Sequence, residues 1–186
     1  MILNASQRTD IPSFFSDWFF NRIQEGFVCV RNPFNPSSIL RYRLHPSVVD
    51  GIIFTTKNPE PMISRLSQLS SFNPYFFVTI TPYSVDIEPN VPSYTEAAQS
   101  AVRLSAIIGS KSLSWRYDPI LITEKYSIEY HKKVFTDLCK ILENSVTSCT
   151  ISFVQLYEKT KKNFPGIREV SLEEKKELLH FMVQTA

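Results

Sequence analysis

Short apolar runs alternate along this chain with longer stretches whose apolar residues recur every three or four positions. An unbroken or period-two apolar run fits a strand, and a period near 3.6 fits a helix. On that basis Ile2-Leu3-Asn4-Ala5, Phe27 to Val30, Gly51 to Thr55, Tyr75 to Ile80, Leu113 to Trp115 and Thr150 to Val154 read as strands. The Gly51–Thr55 run is continuous enough to predict burial on both faces. Between the strands, Asp10 and Pro12 open a helix whose Phe15, Trp18, Phe19 and Ile23 form an aromatic face. Met62, Ile63, Leu66 and Leu69 mark a second helix. Ser93 with Glu96 is a capping box ahead of Ala97, Ala101, Val102, Leu104 and Ile108. Tyr126 to Asn144 carries Ile128, Val134, Phe135, Leu138, Ile141 and Leu142 at helical spacing, and Ser171 with Glu174 caps a last helix bearing Leu178, Leu179, Met182 and Val183. Ile39 to Leu44, bracketed by Pro33, Pro36 and Pro46, reads as an edge hairpin.

Strand followed by helix, repeated about six times, predicts an α/β fold. A full (β/α)₈ barrel has eight units and typically ~250 residues. The expectation is therefore one domain over residues 1–186, a partial parallel (β/α) barrel of about six units, TIM-barrel-like. Each strand runs into a polar cluster: Arg8-Thr9-Asp10, Arg31-Asn32-Pro33, Thr56-Lys57-Asn58-Pro59, Thr81-Pro82-Tyr83, and Trp115-Arg116-Tyr117-Asp118-Pro119-Ile120. Parallel βα units bring their strand C-terminal ends to one face, so these clusters are expected to share one mouth. The proline-bearing loop Ser84 to Pro92 adds Asp86 and Glu88, and the sixth strand leads into Gln155, Tyr157, Lys159, Lys161 and Lys162.

Composition narrows the chemistry. With 186 residues, 43% hydrophobic, the chain can bury a sizeable core. A net charge of +2 does not indicate nucleic acid or a membrane as partner, and no stretch has the length of a membrane span. No signal peptide is legible at the N-terminus. Cys29, Cys139 and Cys149 are odd in number and widely spaced, which suits reduced thiols in the cytoplasm. Neither they nor His45, His131 and His180 have metal-ligand spacing, so no metal site is expected. The four glycines are too far apart for a phosphate loop. Gly26 and Gly109 instead follow helical stretches, as left-handed C′ residues do.

The candidate ligand-binding residues are Arg8, Asp10, Arg31, Asn32, Lys57, Asn58, Thr81, Glu88, Arg116, Asp118 and Lys159. Arginines at several strand ends favour two-pronged binding of a carboxylate, a phosphate or a nucleotide moiety. A lysine just before a helix start, as at Lys57, opposes the helix dipole unless it faces a negative group. Each residue also has a plainer reading. Asp10 and Asn58 suit helix caps, Arg116 and Asp118 suit an internal ion pair, and the basic residues can pair with Asp10, Glu88 and Asp118. Asp86 and Glu88, two apart on one loop, are a poor pair for glycoside cleavage.

The motifs Ser6, Arg8-Thr9-Asp10-Ile11-Pro12, Val30-Arg31-Asn32-Pro33, Thr56-Lys57-Asn58-Pro59, Asp86-Ile87-Glu88-Pro89, Trp115-Arg116-Tyr117-Asp118-Pro119-Ile120 and Ser152-Phe153-Val154 resemble a bacterial family, domain of unknown function 1848. Members of that family resemble radical S-adenosylmethionine enzymes in a C-terminal cysteine cluster. For full-length members the resemblance implies a partial barrel whose mouth holds a [4Fe–4S] cluster and S-adenosylmethionine, three irons bound by thiolates and the fourth by the cofactor. This chain departs from that pattern in lacking the cysteine cluster. The function expected is the barrel portion of a radical S-adenosylmethionine-like enzyme with an electropositive strand-end site for an anionic ligand. The alternative is a cluster-free, non-catalytic barrel that binds an anionic small molecule or nucleotide.

Overall fold

The computed structural model describes residues 1–164 and 167–186. The chain is α/β and divides into two compact units, Met1–Phe77 and Val78–Ala186. Five strands form a parallel sheet in the order β1-β4-β5-β6-β7, where β1 is Ile2–Asn4, β4 is Gly51–Thr56, β5 is Pro74–Thr79, β6 is Leu113–Ile120 and β7 is Cys149–Phe153. Two further strands, β2 (Phe27–Arg31) and β3 (Ile39–Arg43), pair antiparallel with Phe27 opposite Arg43 and Arg31 opposite Ile39. The expected second parallel strand is therefore half of a hairpin, and the parallel strands number five among the described residues. Arg31 closes β2 of that hairpin and Asn32-Pro33 opens its loop, so the cluster is not at a strand-to-helix junction.

In the first unit, β1 pairs with β4 in parallel, Ile2 opposite Gly51. Asp10 caps a helix as expected, but α1 (Ile11–Phe14) stops after four residues, and α2 (Ser16–Glu25) begins beyond a break at Phe15, φ −133°. The break turns Ser16, Phe19 and Phe20 inward and leaves Phe14, Phe15 and Trp18 exposed, so the predicted aromatic face is only partly the packed one. Gly26 ends α2 in the left-handed conformation, φ 74°. The helix predicted through Met62 and Leu69 is two pieces, α3 (Glu60–Ile63) and a 3₁₀ segment, Leu66–Phe72. With three residues per turn, Leu66, Leu69 and Phe72 fall on one side, and all three are buried. Along β4, Ile52, Phe54 and Thr56 are buried while Gly51, Ile53 and Thr55 are half-exposed, so this strand buries one face rather than two. Phe54 stacks on Phe76 at 4.7 Å and meets the edge of Phe19 at 5.2 Å. Burying a ring of this size contributes about 2–3 kcal/mol.

In the second unit, α4 (Tyr94–Ile108) starts at the predicted capping box, Ser93 with Glu96. Gly109 has a positive φ of 84°, but its ψ of 146° is extended, so it turns the chain into the 3₁₀ segment Ser110–Ser112 instead of forming a left-handed cap. β6 runs to Ile120, past the predicted end at Trp115, and carries the cis Asp118–Pro119 bond. It pairs in parallel with β7, Trp115 opposite Cys149 and Tyr117 opposite Ile151. α5 (Ile128–Leu142) packs on α4 and on α7 (Leu172–Thr185), whose N-terminus is the second predicted capping box. Between β7 and α7 lies a short helix, α6 (Glu158–Asn163). Trp115 stacks on Phe135 at 5.0 Å, and Tyr117 meets the edge of the same ring. No described helix is long and apolar enough to cross a membrane.

Candidate functional site

In the first unit the loop after β1 meets the loop after β4 through Asp10. One carboxylate oxygen accepts from the Ser13 amide at 3.0 Å, as a helix cap does, and the other accepts from the Lys57 amide at 2.9 Å. A closed ring of hydrogen bonds lies alongside. The Thr56 hydroxyl donates to Ser13, Ser13 donates to the Asn58 carbonyl, and the Asn58 amide donates back to Thr56, at 3.1, 3.1 and 3.0 Å. The Asn58 side chain accepts from the Glu60 amide at 3.2 Å. Asp10 and Asn58 thus hold two loops together, and Lys57, half-buried, is held there by its backbone. Asn32 serves its own hairpin loop, its side-chain oxygen accepting from the Phe34 and Asn35 amides at 2.9 and 3.3 Å.

Arg8 behaves differently. Its guanidinium donates to the Arg31 carbonyl at 3.0 Å, bringing two predicted residues to the edge of a cavity of about 450 Å³. The end of β1, the loop 7–9, one side of α2 and strand β2 enclose it. Its walls are mostly apolar, with Leu3, Ile11, Phe19, Val28 and Val30 among them, and three arginines line it: Arg8, Arg31 and Arg22. Among the described residues no carboxylate side chain does. The Nε of Arg22 is buried and has no hydrogen-bond partner. Arg22 was not among the predicted residues, because at a helical position near a C-terminus an arginine is ordinary.

In the second unit, Arg116 and Asp118 are strand residues two apart, hence on one side of β6. They form an ion pair, and Ser152 on the neighbouring β7 donates to the same carboxylate. Thr81 donates to Glu88 at 2.9 Å. Asp86, in the predicted loop, accepts from the Tyr126 hydroxyl at 2.6 Å and from Ser84 at 2.7 Å, with the Lys125 ammonium 3.0 Å away. Those donors, Tyr126 foremost, hold its carboxyl well below the usual range. The side chain of Lys159 lies outside the described residues.

Beneath this loop, the Tyr83 phenol donates to the Pro119 carbonyl and accepts from the Leu121 amide, each at 2.8 Å. His131 is fully buried. Its Nε2 lies 3.0 Å from the Leu121 carbonyl, an obligate acceptor, so Nε2 carries the proton and Nδ1 accepts from the Tyr117 hydroxyl at 2.8 Å. Burial pulls the imidazole down to about 4 and pushes the Tyr83 and Tyr117 phenols up. The sequence signal for His131 is its place three residues from both Ile128 and Val134, on the packed side of α5.

The sequence model of the domain of unknown function DUF1848 matches residues 2–186. The chain belongs to that family. No curated protein and no solved structure matches it. The three thiols of this DUF1848 chain sit on separate elements: Cys29 on β2, Cys139 on α5 and Cys149 on β7. Burial raises the Cys139 thiol and pushes that of Cys149 up to about 12, which disfavours the thiolate a metal needs. Among the described residues no group of three or more His, Cys, Asp or Glu is placed to hold a metal ion. The cysteines of this DUF1848 chain do not fit a [4Fe–4S] cluster.

Proposed function

We propose that this DUF1848 chain binds an anionic small molecule, with Arg8 and Arg31 as its primary contacts, and that it forms the barrel portion of a radical S-adenosylmethionine-like enzyme of the cytoplasm. The fold of the reading is a partial parallel (β/α) barrel, supported by the five-stranded parallel sheet. The observation that carries the ligand is the cavity edged by Arg8 and Arg31 with no carboxylate in its lining. Guanidinium groups without a carboxylate partner favour a carboxylate or phosphate, which they bind through paired N–H donors. The radical-enzyme part rests on the resemblance of the strand-end motifs, and the chemistry of cluster and cofactor would lie with members that carry the cysteine cluster. The three dispersed thiols favour a second reading, a cluster-free barrel that binds the anion without radical chemistry.

Isothermal titration calorimetry with benzoate and with pyrophosphate tests the ligand. At least one should bind with submillimolar affinity, and the Arg8→Met/Arg31→Met double variant should weaken it by about tenfold or more. Indifference of the protein to every anion would refute the binding reading. Iron and sulfide assays after anaerobic reconstitution of a family member that carries the cysteine cluster separate the two forms of the proposal. Stoichiometric iron and sulfide there would support the radical-enzyme form, and their absence would leave the cluster-free one.

A further inference from the structure

The cavity of the first unit combines two features that a site for a bare inorganic anion does not need. Most of its lining is aliphatic or aromatic, and its volume of about 450 Å³ lies within the range of pockets that enclose an organic ligand. An anion with no carbon body would leave that apolar wall unfilled. The second feature is Arg22. Its Nε is shielded from solvent without a hydrogen-bond partner, and a buried donor left unsatisfied is costly. Among the described residues Arg8, Arg22 and Arg31 form no ion pair with a carboxylate. Three cations on an apolar enclosure select a ligand with the complementary division, an anionic head and a hydrophobic tail.

We infer that the cavity binds an amphipathic monocarboxylate, a medium-chain or aryl acid, with Arg22 as a specificity-determining residue for its head. This assignment rests on the anion-binding reading and adds the ligand class and Arg22 to it. The apolar body packs against Val28, Val30 and Phe19. The carboxylate accepts from the Arg22 guanidinium, with Arg8 and Arg31 at the cavity edge. Trp18, exposed at the rim of the same lining, reports occupancy through its fluorescence.

The test is calorimetry of the full 186-residue chain with octanoate, acetate, inorganic phosphate and octan-1-ol, paired with Trp18 fluorescence. Octanoate should bind one per chain. Acetate should bind at least about a hundredfold more weakly for want of the methylenes. Phosphate and octanol should each be weaker by about tenfold or more, the first lacking the apolar body and the second the charge. Arg22→Met should cost octanoate about tenfold, and the fluorescence response should vanish in Trp18→Phe while binding persists. Acetate or phosphate binding as tightly as octanoate would overturn the ligand class and leave the anion reading standing. Octanol matching octanoate, or none of the four binding, would overturn both. The wild-type series needs no variant, so it decides the question even if Arg22→Met does not fold.

Discussion

Arg116 in the second unit and Arg22 in the first are both sheltered guanidinium groups, and they differ in what faces them. Arg116 has Asp118 beside it on β6, and that carboxylate also receives the Ser152 hydroxyl from β7. The surroundings are equally settled, with His131 placed between Tyr117 and Leu121, and Tyr83 between Pro119 and Leu121. Arg22 lines a cavity without a carboxylate and keeps a buried Nε without a partner. A sheltered charge whose partner comes from the chain belongs to the fold, because removing the partner leaves an uncompensated charge. One whose partner does not come from the chain still has its best interaction to make.

That contrast breaks if the second-unit network contributes no stability. The largest effect expected is acid sensitivity at His131. Its folded-state value, depressed to about 4 from 6.5, means the unfolded chain takes up the proton first. Stability is therefore full above about pH 6.5 and falls as the pH drops toward 4, by about 3 kcal/mol. Urea titrations across that window check it, and a flat profile there would contradict the buried neutral imidazole. Next comes Asp118→Ala, which strands Arg116 and the Ser152 hydroxyl. Since Arg116 keeps some solvent, the loss should be about 2 kcal/mol, below that of a fully buried pair. Tyr83→Phe leaves the buried Leu121 amide without its acceptor and should lower the stability by about 1–2 kcal/mol in the same assay.

The smallest effect sharpens the contrast most. Arg22→Met keeps most of the stem and removes a buried donor that has no partner, so stability should stay within about 0.5 kcal/mol of wild type. Arg116→Met, the same exchange in the second unit, should cost more, because it leaves Asp118 without its cation. Equal losses at the two arginines would remove the distinction between fold charge and ligand charge.

Much of the candidate site was legible at the level of single residues and little at the level of neighbourhoods. Asp10 as a cap follows from an aspartate just before Ile11-Pro12, a relation spanning a few residues. Its second bond, to the Lys57 amide 47 residues away, has no local signature. Arg116 and Asp118 stand out by type, but the plain reading as an ion pair matches the structure because β6 continues through both. Arg31 was expected beside a strand-to-helix turn and is in a hairpin, since Phe27–Arg31 pairs with Ile39–Arg43 rather than joining the parallel sheet. Arg22 had no sequence signal, because what distinguishes it is a buried Nε without a hydrogen-bond partner beside a cavity, and that belongs to the surroundings.

The sequence by itself determined the alternation of strands and helices, the capping boxes at Ser93 and Ser171, and the left-handed turn at Gly26. These depend on hydrogen bonds and periodicities that close within a few residues. Only the tertiary structure decided which strands pair, where the first helix breaks, that His131 is buried neutral, and which arginines have partners. Strand pairing and the pairing of charges are made by residues far apart in the chain, and their energies depend on how much water the fold removes around them.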